Sequence, residues 1–229
     1  MTTPLRDAEI WSAIDTKTKP VGALGRLEAL AAQIARTQNT LVPRAETCRL
    51  LLFAADHGLA SAGVSAYPQA VTQQMLANFL QGGAASTAFA RALGVTVGVI
   101  DAGVAGPPLA HPELIDRRLG AGTANALDGP AMTADQVAAG LEAGRALGAQ
   151  AQADALAGHF VYAHRSAETG HGRVLAALGA EPLLALDMRL GEGTGALLAW
   201  PLVKAAAALL SDMASFDSAG VSGPSEPRS

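Results

Sequence analysis

Two short, almost uninterrupted apolar runs restrict the kind of fold open to this chain. RLLLFAADHG (49–58) and VTVGVIDAGVAG (95–106) are each long enough for one strand, and each ends near a carboxylate followed by glycine. Strands that are apolar on both faces belong in the middle of a parallel sheet covered by helices. Between them, 69–80 and 84–93 carry apolar residues at helical spacing. Strand, helix and strand in that order form a βαβ unit, almost always right-handed. The expected fold class is α/β: a Rossmann-like parallel sheet flanked by helices, with a reduced strand count and additional N- and C-terminal helices.

Helices are expected over 7–13 and 24–35, with the turn TKTKPVGALGRLE between them. Thr133 is a plausible N-cap for the helix TADQVAAGLEAGRALG, with Gln136 in the capping-box position. A third strand is expected at HFVYAH (159–164), then helices over 170–178 and 194–213. Three strands fall short of the mean sheet of about five or six. An alanine-rich junction, 146–157, leads directly into the third. The chain divides into an N-terminal helical segment (1–40), a βαβ core (48–150), a C-terminal part (158–216) and a flexible polar tail (217–229), all within one domain.

Composition excludes several roles. Of 229 residues, 50% are apolar and 16% charged, which suits a chain with a sizeable core. A net charge of −4 offers no basic field for a nucleic acid. The single cysteine, Cys48, cannot form an internal disulfide and reads as a buried, inert thiol in a reducing compartment. The start MTTPLRDAEIW shows no secretory pattern. The most apolar stretch, 195–210, is interrupted by Pro201 and Lys204 and is shorter than the roughly 20 residues of a spanning helix. The expectation is a soluble, cytoplasmic protein with no membrane partner.

Open parallel sheets bind ligands beyond the carboxyl ends of their strands. Asp56 and His57 follow the first strand, and Asp101 the second. The pair Asp56–His57 reads as a metal-ligand pair or general base, or as a polar strand end that caps backbone groups. His164, Ser166, Glu168 and His171 follow the third strand. His164, Glu168 and His171 make an i, i+4, i+7 zinc face only if the whole stretch is helical, yet it begins as a strand; alternatively Ser166 is an N-cap, with Glu168 in the first helical turn. Ser65, in GVSAY, lacks the glycine pattern and preceding strand of a hydrolase nucleophile. Glu192 stands between Gly191 and Gly193, so its carboxylate is open to a flat ligand. It also reads as a helix-start carboxylate favoured by the dipole.

Together, TKPVGALGRLE, AADHGLASAGVSAYPQAVTQQM, NFLQGGAA, VIDAGVAG, GTAN, AHRSAETGH, LDMRLGEGTGA and MASFDSAGVS resemble, in order, the nicotinate-nucleotide–dimethylbenzimidazole phosphoribosyltransferase family. The resemblance implies transfer of phosphoribose from nicotinate mononucleotide to 5,6-dimethylbenzimidazole, giving α-ribazole 5′-phosphate and nicotinate in cobalamin biosynthesis. It implies Glu192 as general base, Ser65, Tyr67 and Gln73 near the benzimidazole, and no cofactor or metal. Asp56, His57, Asp101, His164, Ser166, Gly191 and Gly193 are the remaining substrate-binding candidates, and the expected assembly is a homodimer. The chain departs from the family in one respect. The middle section, with its GEMGIGN-type loop, GG motif and DGF strand, is absent, and with it much of the phosphate cradle and some strands. The alternatives are a weak or inactive relative that binds benzimidazole-type bases or assembles with a full-length paralogue, and a metal hydrolase built on Asp56, His57, His164 and His171.

Overall fold

The computed structural model describes residues 3–150 and 160–222. Its main sheet has three parallel strands in the order β1 (Arg49–Ala55), β2 (Thr96–Gly103) and β3 (Leu114–Asp116). β1 and β2 pair in register from Arg49 opposite Thr96 to Ala54 opposite Asp101, with a shift before Ala55. The N–H of Thr96 donates to the carbonyl of Cys48, and that of Asp56 to Gly103. Even-numbered residues of β1 therefore point their backbone groups at β2, and odd-numbered ones point away from it. Among the described residues, nothing pairs with that outward side.

Helices α3 (Ala70–Leu80) and α4 (Ala85–Leu93) form the crossover between β1 and β2. Leu76 of α3 packs against Val99 and Val104, burying the sheet beneath it. Gly94 ends α4 in the left-handed region, φ +66°, where a side chain would be strained. The expected helix boundaries hold to within a few residues. In α5 (Ala134–Gln150) the reciprocal cap is present: Gln136 N–H donates to Thr133 Oγ1, and Thr133 N–H to Gln136 Oε1.

A second core is all helical. α1 (Asp7–Asp15), α2 (Arg26–Gln38) and α7 (Thr194–Ser211) bring Ile10, Ile14, Leu30, Ala31, Leu209 and Leu210 together. Alanines at Ala32, Ala35 and Ala206 let these helices approach closely. By length and composition α7 could cross a membrane; here it packs on α1, α2 and α4 as a core helix. Lys17 Nζ donates to the carbonyl of Leu210 in the last turn of α7 at 2.8 Å and to that of Met213 just beyond it at 2.6 Å. Burial pushes the Lys17 ammonium below its ordinary pKa, and nearby Asp212 acts in the opposite direction. Pro201 removes one helical bond without ending α7.

The third expected strand is corrected. Only His164–Arg165 form β4, paired in parallel with β5 (Leu184–Ala185), and this two-stranded piece is separate from the main sheet. Phe160 is exposed, so the apolar run before His164 does not lie in a sheet core; His159 is outside the described residues. β3 and β5 were not anticipated, because strands of three and two residues carry no periodic signal. α6 (Thr169–Ala177) takes Glu168, not Ser166, as its N-cap, and the Ser166 hydroxyl instead accepts from the Glu168 N–H. The expected flexible tail begins with a short helix, α8 (Phe216–Ala219), capped by Ser215; residues 223–229 are outside the described residues.

Candidate active site

The end of β1, the segment that follows it and the face of α3 enclose a cavity of about 590 Å3. Val71, Met75, Phe79, Leu59, Val64 and Val99 make its walls mainly apolar. His57, Ser65, Tyr67, Gln69 and Thr72 add a few polar groups, and Glu192 enters from the loop before α7. A largely apolar hollow with a few polar groups is the ordinary form of a small-molecule site.

Glu192 sits in an unusual backbone. Its φ is +58°, between Gly191 at +82° and Gly193 at +71°. A non-glycine residue there is held at a cost of about 1–3 kcal/mol. Thr194 closes the turn, with its N–H and its hydroxyl both donating to the Gly191 carbonyl. Gly193 packs so closely on Leu50 that a Cβ would come within 2.6 Å of Leu50 Cδ1. The Glu192 carboxylate is half-buried and accepts from the Ser86 hydroxyl at 3.3 Å. Ser86 is fully buried in the first turn of α4. No ion pair to Glu192 forms among the described residues, so its carboxylate remains available to a guest.

The other strand-end carboxylates are engaged in the scaffold. Asp56, 5% exposed, accepts from Thr72 Oγ1 at 2.7 Å and from the Ala105 N–H at 2.8 Å. Its backbone carbonyl accepts from Thr123, which brings the GTAN loop against Gly58, where no Cβ would fit. Asp101, 1% exposed, accepts from the N–H groups of Gly103 and Val104 and lies 3.5 Å from Arg118. Partial burial raises the Cys48 thiol pKa above its ordinary value.

Ser65 and Tyr67 stand at the cavity mouth; the Ser65 hydroxyl accepts from the Tyr67 N–H, and Tyr67 is largely exposed. Gln73 is not part of the lining. Its amide donates to the Pro107 carbonyl at 2.8 Å, on a different side of α3 from Thr72 and Met75. His164, Ser166, His171, Gly191 and Gly193 line a second hollow, of about 310 Å3, beside the same loop. Ser166 N–H donates to His171 Nδ1 at 2.9 Å, and the buried His164 Nε2 has no hydrogen-bond partner among the described residues. Asp56 and His57 thus lie on one cavity and His164 and His171 on another. Among the described residues, no three metal-binding side chains converge. Sequence reasoning missed Ser86, and Met75 and Phe79 as walls; the last two follow from the face that Thr72 marks on α3.

A phosphoribosyltransferase family profile matches residues 4–157 and 146–221. The chain is similar to the nicotinate-nucleotide–dimethylbenzimidazole phosphoribosyltransferase of Cupriavidus necator, at 36% identity over 336 positions that span 96% of this chain and 97% of that protein. It is also similar to the same-named protein of Ralstonia nicotianae, at 38% identity over 98% of this chain and 96% of the relative. A crystal structure of that enzyme from Thermus thermophilus superposes with a TM-score of 0.88 at 32% identity, covering 95% of this chain and 98% of the other. An alignment of 336 positions exceeds the 229 residues present, so over a hundred positions have no residue of this chain. The two matched segments overlap at 146–157, which locates the missing section between α5 and β4. On sequence and on structure alike, this chain belongs to the nicotinate-nucleotide–dimethylbenzimidazole phosphoribosyltransferase family.

Proposed function

We propose that the chain transfers phosphoribose from nicotinate mononucleotide to 5,6-dimethylbenzimidazole, releasing nicotinate and forming α-ribazole 5′-phosphate for cobalamin biosynthesis. The observation that supports this reading is the Glu192 carboxylate, held by Ser86 and without an ion pair among the described residues, at an apolar cavity of a size that takes a bicyclic base. The base stacks among Met75, Phe79 and Val71, with Ser65, Tyr67 and His57 at the mouth. One ring nitrogen attacks the ribose anomeric carbon as the bond to the nicotinate nitrogen breaks. The departing electron pair neutralises the positive ring of nicotinate. The proton on the second benzimidazole nitrogen passes to Glu192, so the product ring leaves uncharged. Such a positioned base contributes typically 10²–10⁴-fold.

The second hollow, across the loop, suits the phosphoribosyl end. It is lined by His164, Ser166 and the start of α7, where the helix dipole favours an anion. We place the protein in the cytoplasm, a compartment consistent with its single, half-buried thiol. Incubating the protein with both substrates and following nicotinate release tests the reading. Formation of α-ribazole 5′-phosphate supports it. Binding of the base without turnover, at substrate concentrations in the millimolar range, contradicts the transfer.

A further inference from the structure

β1 lies at the edge of the sheet although its sequence suits an interior strand. Leu51, Phe53 and Ala55 turn their N–H and C=O groups outward, and no described residue bonds to them. Natural edges are blunted by proline, lysine, an inward charge or a covering element. Between Leu50 and Ala55 the chain has no proline and no charge, and Phe53 is 54% exposed beside that edge. The missing family section falls after α5 and before β4, between the three-stranded sheet and the isolated two-stranded piece. Two short strands are too few to be stable by themselves. The family relatives supply over a hundred positions at this place.

We infer that the outer edge of β1 receives a parallel strand from a separate polypeptide that carries the section the relatives hold between the two matched segments. Every named strand pair in the protein is parallel, and an added parallel strand bonds to the alternate groups of Leu51, Phe53 and Ala55. Its apolar side chains cover Phe53, which is how strand addition combines backbone affinity with side-chain selection. A second copy of this chain fits less well. Across a twofold axis β1 meets β1 in antiparallel fashion, and β4 and β5 remain a two-stranded piece. The inference rests on family membership and not on the proposed reaction.

The test mixes the full chain with the section of the Cupriavidus necator relative that faces the gap, produced as a separate soluble polypeptide. Sedimentation is expected to show a one-to-one complex. Hydrogen exchange at the Leu51, Phe53 and Ala55 amides is expected to slow about tenfold or more, while Leu50, Leu52 and Ala54, already bonded to β2, change little. Leu51→Pro removes an outward donor without touching the β2 ladder, and Phe53→Lys charges the edge; each is expected to weaken the complex about tenfold or more. Failure to form a complex overturns the inference, as does a complex in which the three amides exchange at the free rate. Protection that rises with concentration of the chain alone overturns it in favour of a second copy. The exchange measurement on the unaltered chain decides the matter even if both variants unfold.

Discussion

Glu192 is held in place against its local backbone preference. Three successive residues with positive φ, two of them glycine, aim its side chain at the cavity, and only the middle one bears the strain. Glu192→Gly is expected to leave stability unchanged or raise it by up to about 1 kcal/mol while abolishing transfer, as measured by urea denaturation and turnover. If Glu192 accepts the proton as proposed, Ser86 acts as a positioning residue through it. Ser86→Ala is expected to lower kcat about 3- to 10-fold with little change in KM for the base, and Ser86→Thr to recover part of the loss. An equal change in both parameters would indicate that Ser86 shapes the cavity instead. The flanking glycines single out Glu192 from sequence alone, and the structure places it half-buried at the cavity. Ser86 was not legible, since it lies 106 positions away and nothing in a helix start marks a distant partner. Asp56 and Asp101 show the opposite case: their places were legible at strand ends, but what each carboxylate binds depends on loops that fold back from elsewhere.

At the scale of elements, the turn 16–25 joins the helical core to the chain's C-terminal end. Thr18 N–H donates to Ala214 and Phe216 N–H to Thr16. Beside it, Lys19 and Glu28 form an ion pair of 2.9 Å with both side chains about 5% exposed or less. Burial alone would raise the Glu28 pKa, but the Lys19 contact and the Leu24 N–H outweigh it and hold the carboxyl below its usual range. A depressed folded pKa contributes stability above the unfolded value of about 4.3 and loses it as pH falls through the folded one. Urea midpoints measured from pH 7 down to pH 3 are therefore expected to decline, with a shallower decline in Glu28→Gln. Lys19→Met, which leaves a buried carboxylate unpaired, is expected to cost about 3–5 kcal/mol at pH 7. Helices were legible here because caps and apolar spacing are local: Thr133 with Gln136, and the Leu27, Leu30, Ala31, Ile34 stripe of α2. The run ending at His164 misled, because a short apolar segment satisfies a strand pattern whether or not a sheet is present to receive it.

For the whole molecule, the α/β class followed from two apolar runs, while the division of the strands into two sheets did not. Around 146–157 the alignments with relatives carry over a hundred positions that this chain lacks. The described residues hold the apolar cavity, the Glu192 carboxylate and the loop that presents it on a scaffold of β1, α3, α4 and α7. The most direct test is turnover of nicotinate mononucleotide with 5,6-dimethylbenzimidazole by the unaltered chain and by Glu192→Gln, with affinity for the base measured on both. A fall in turnover of about 10²–10⁴-fold with base affinity changed by no more than a few-fold is the expected result. Equal turnover by the two proteins would contradict Glu192 as the proton acceptor.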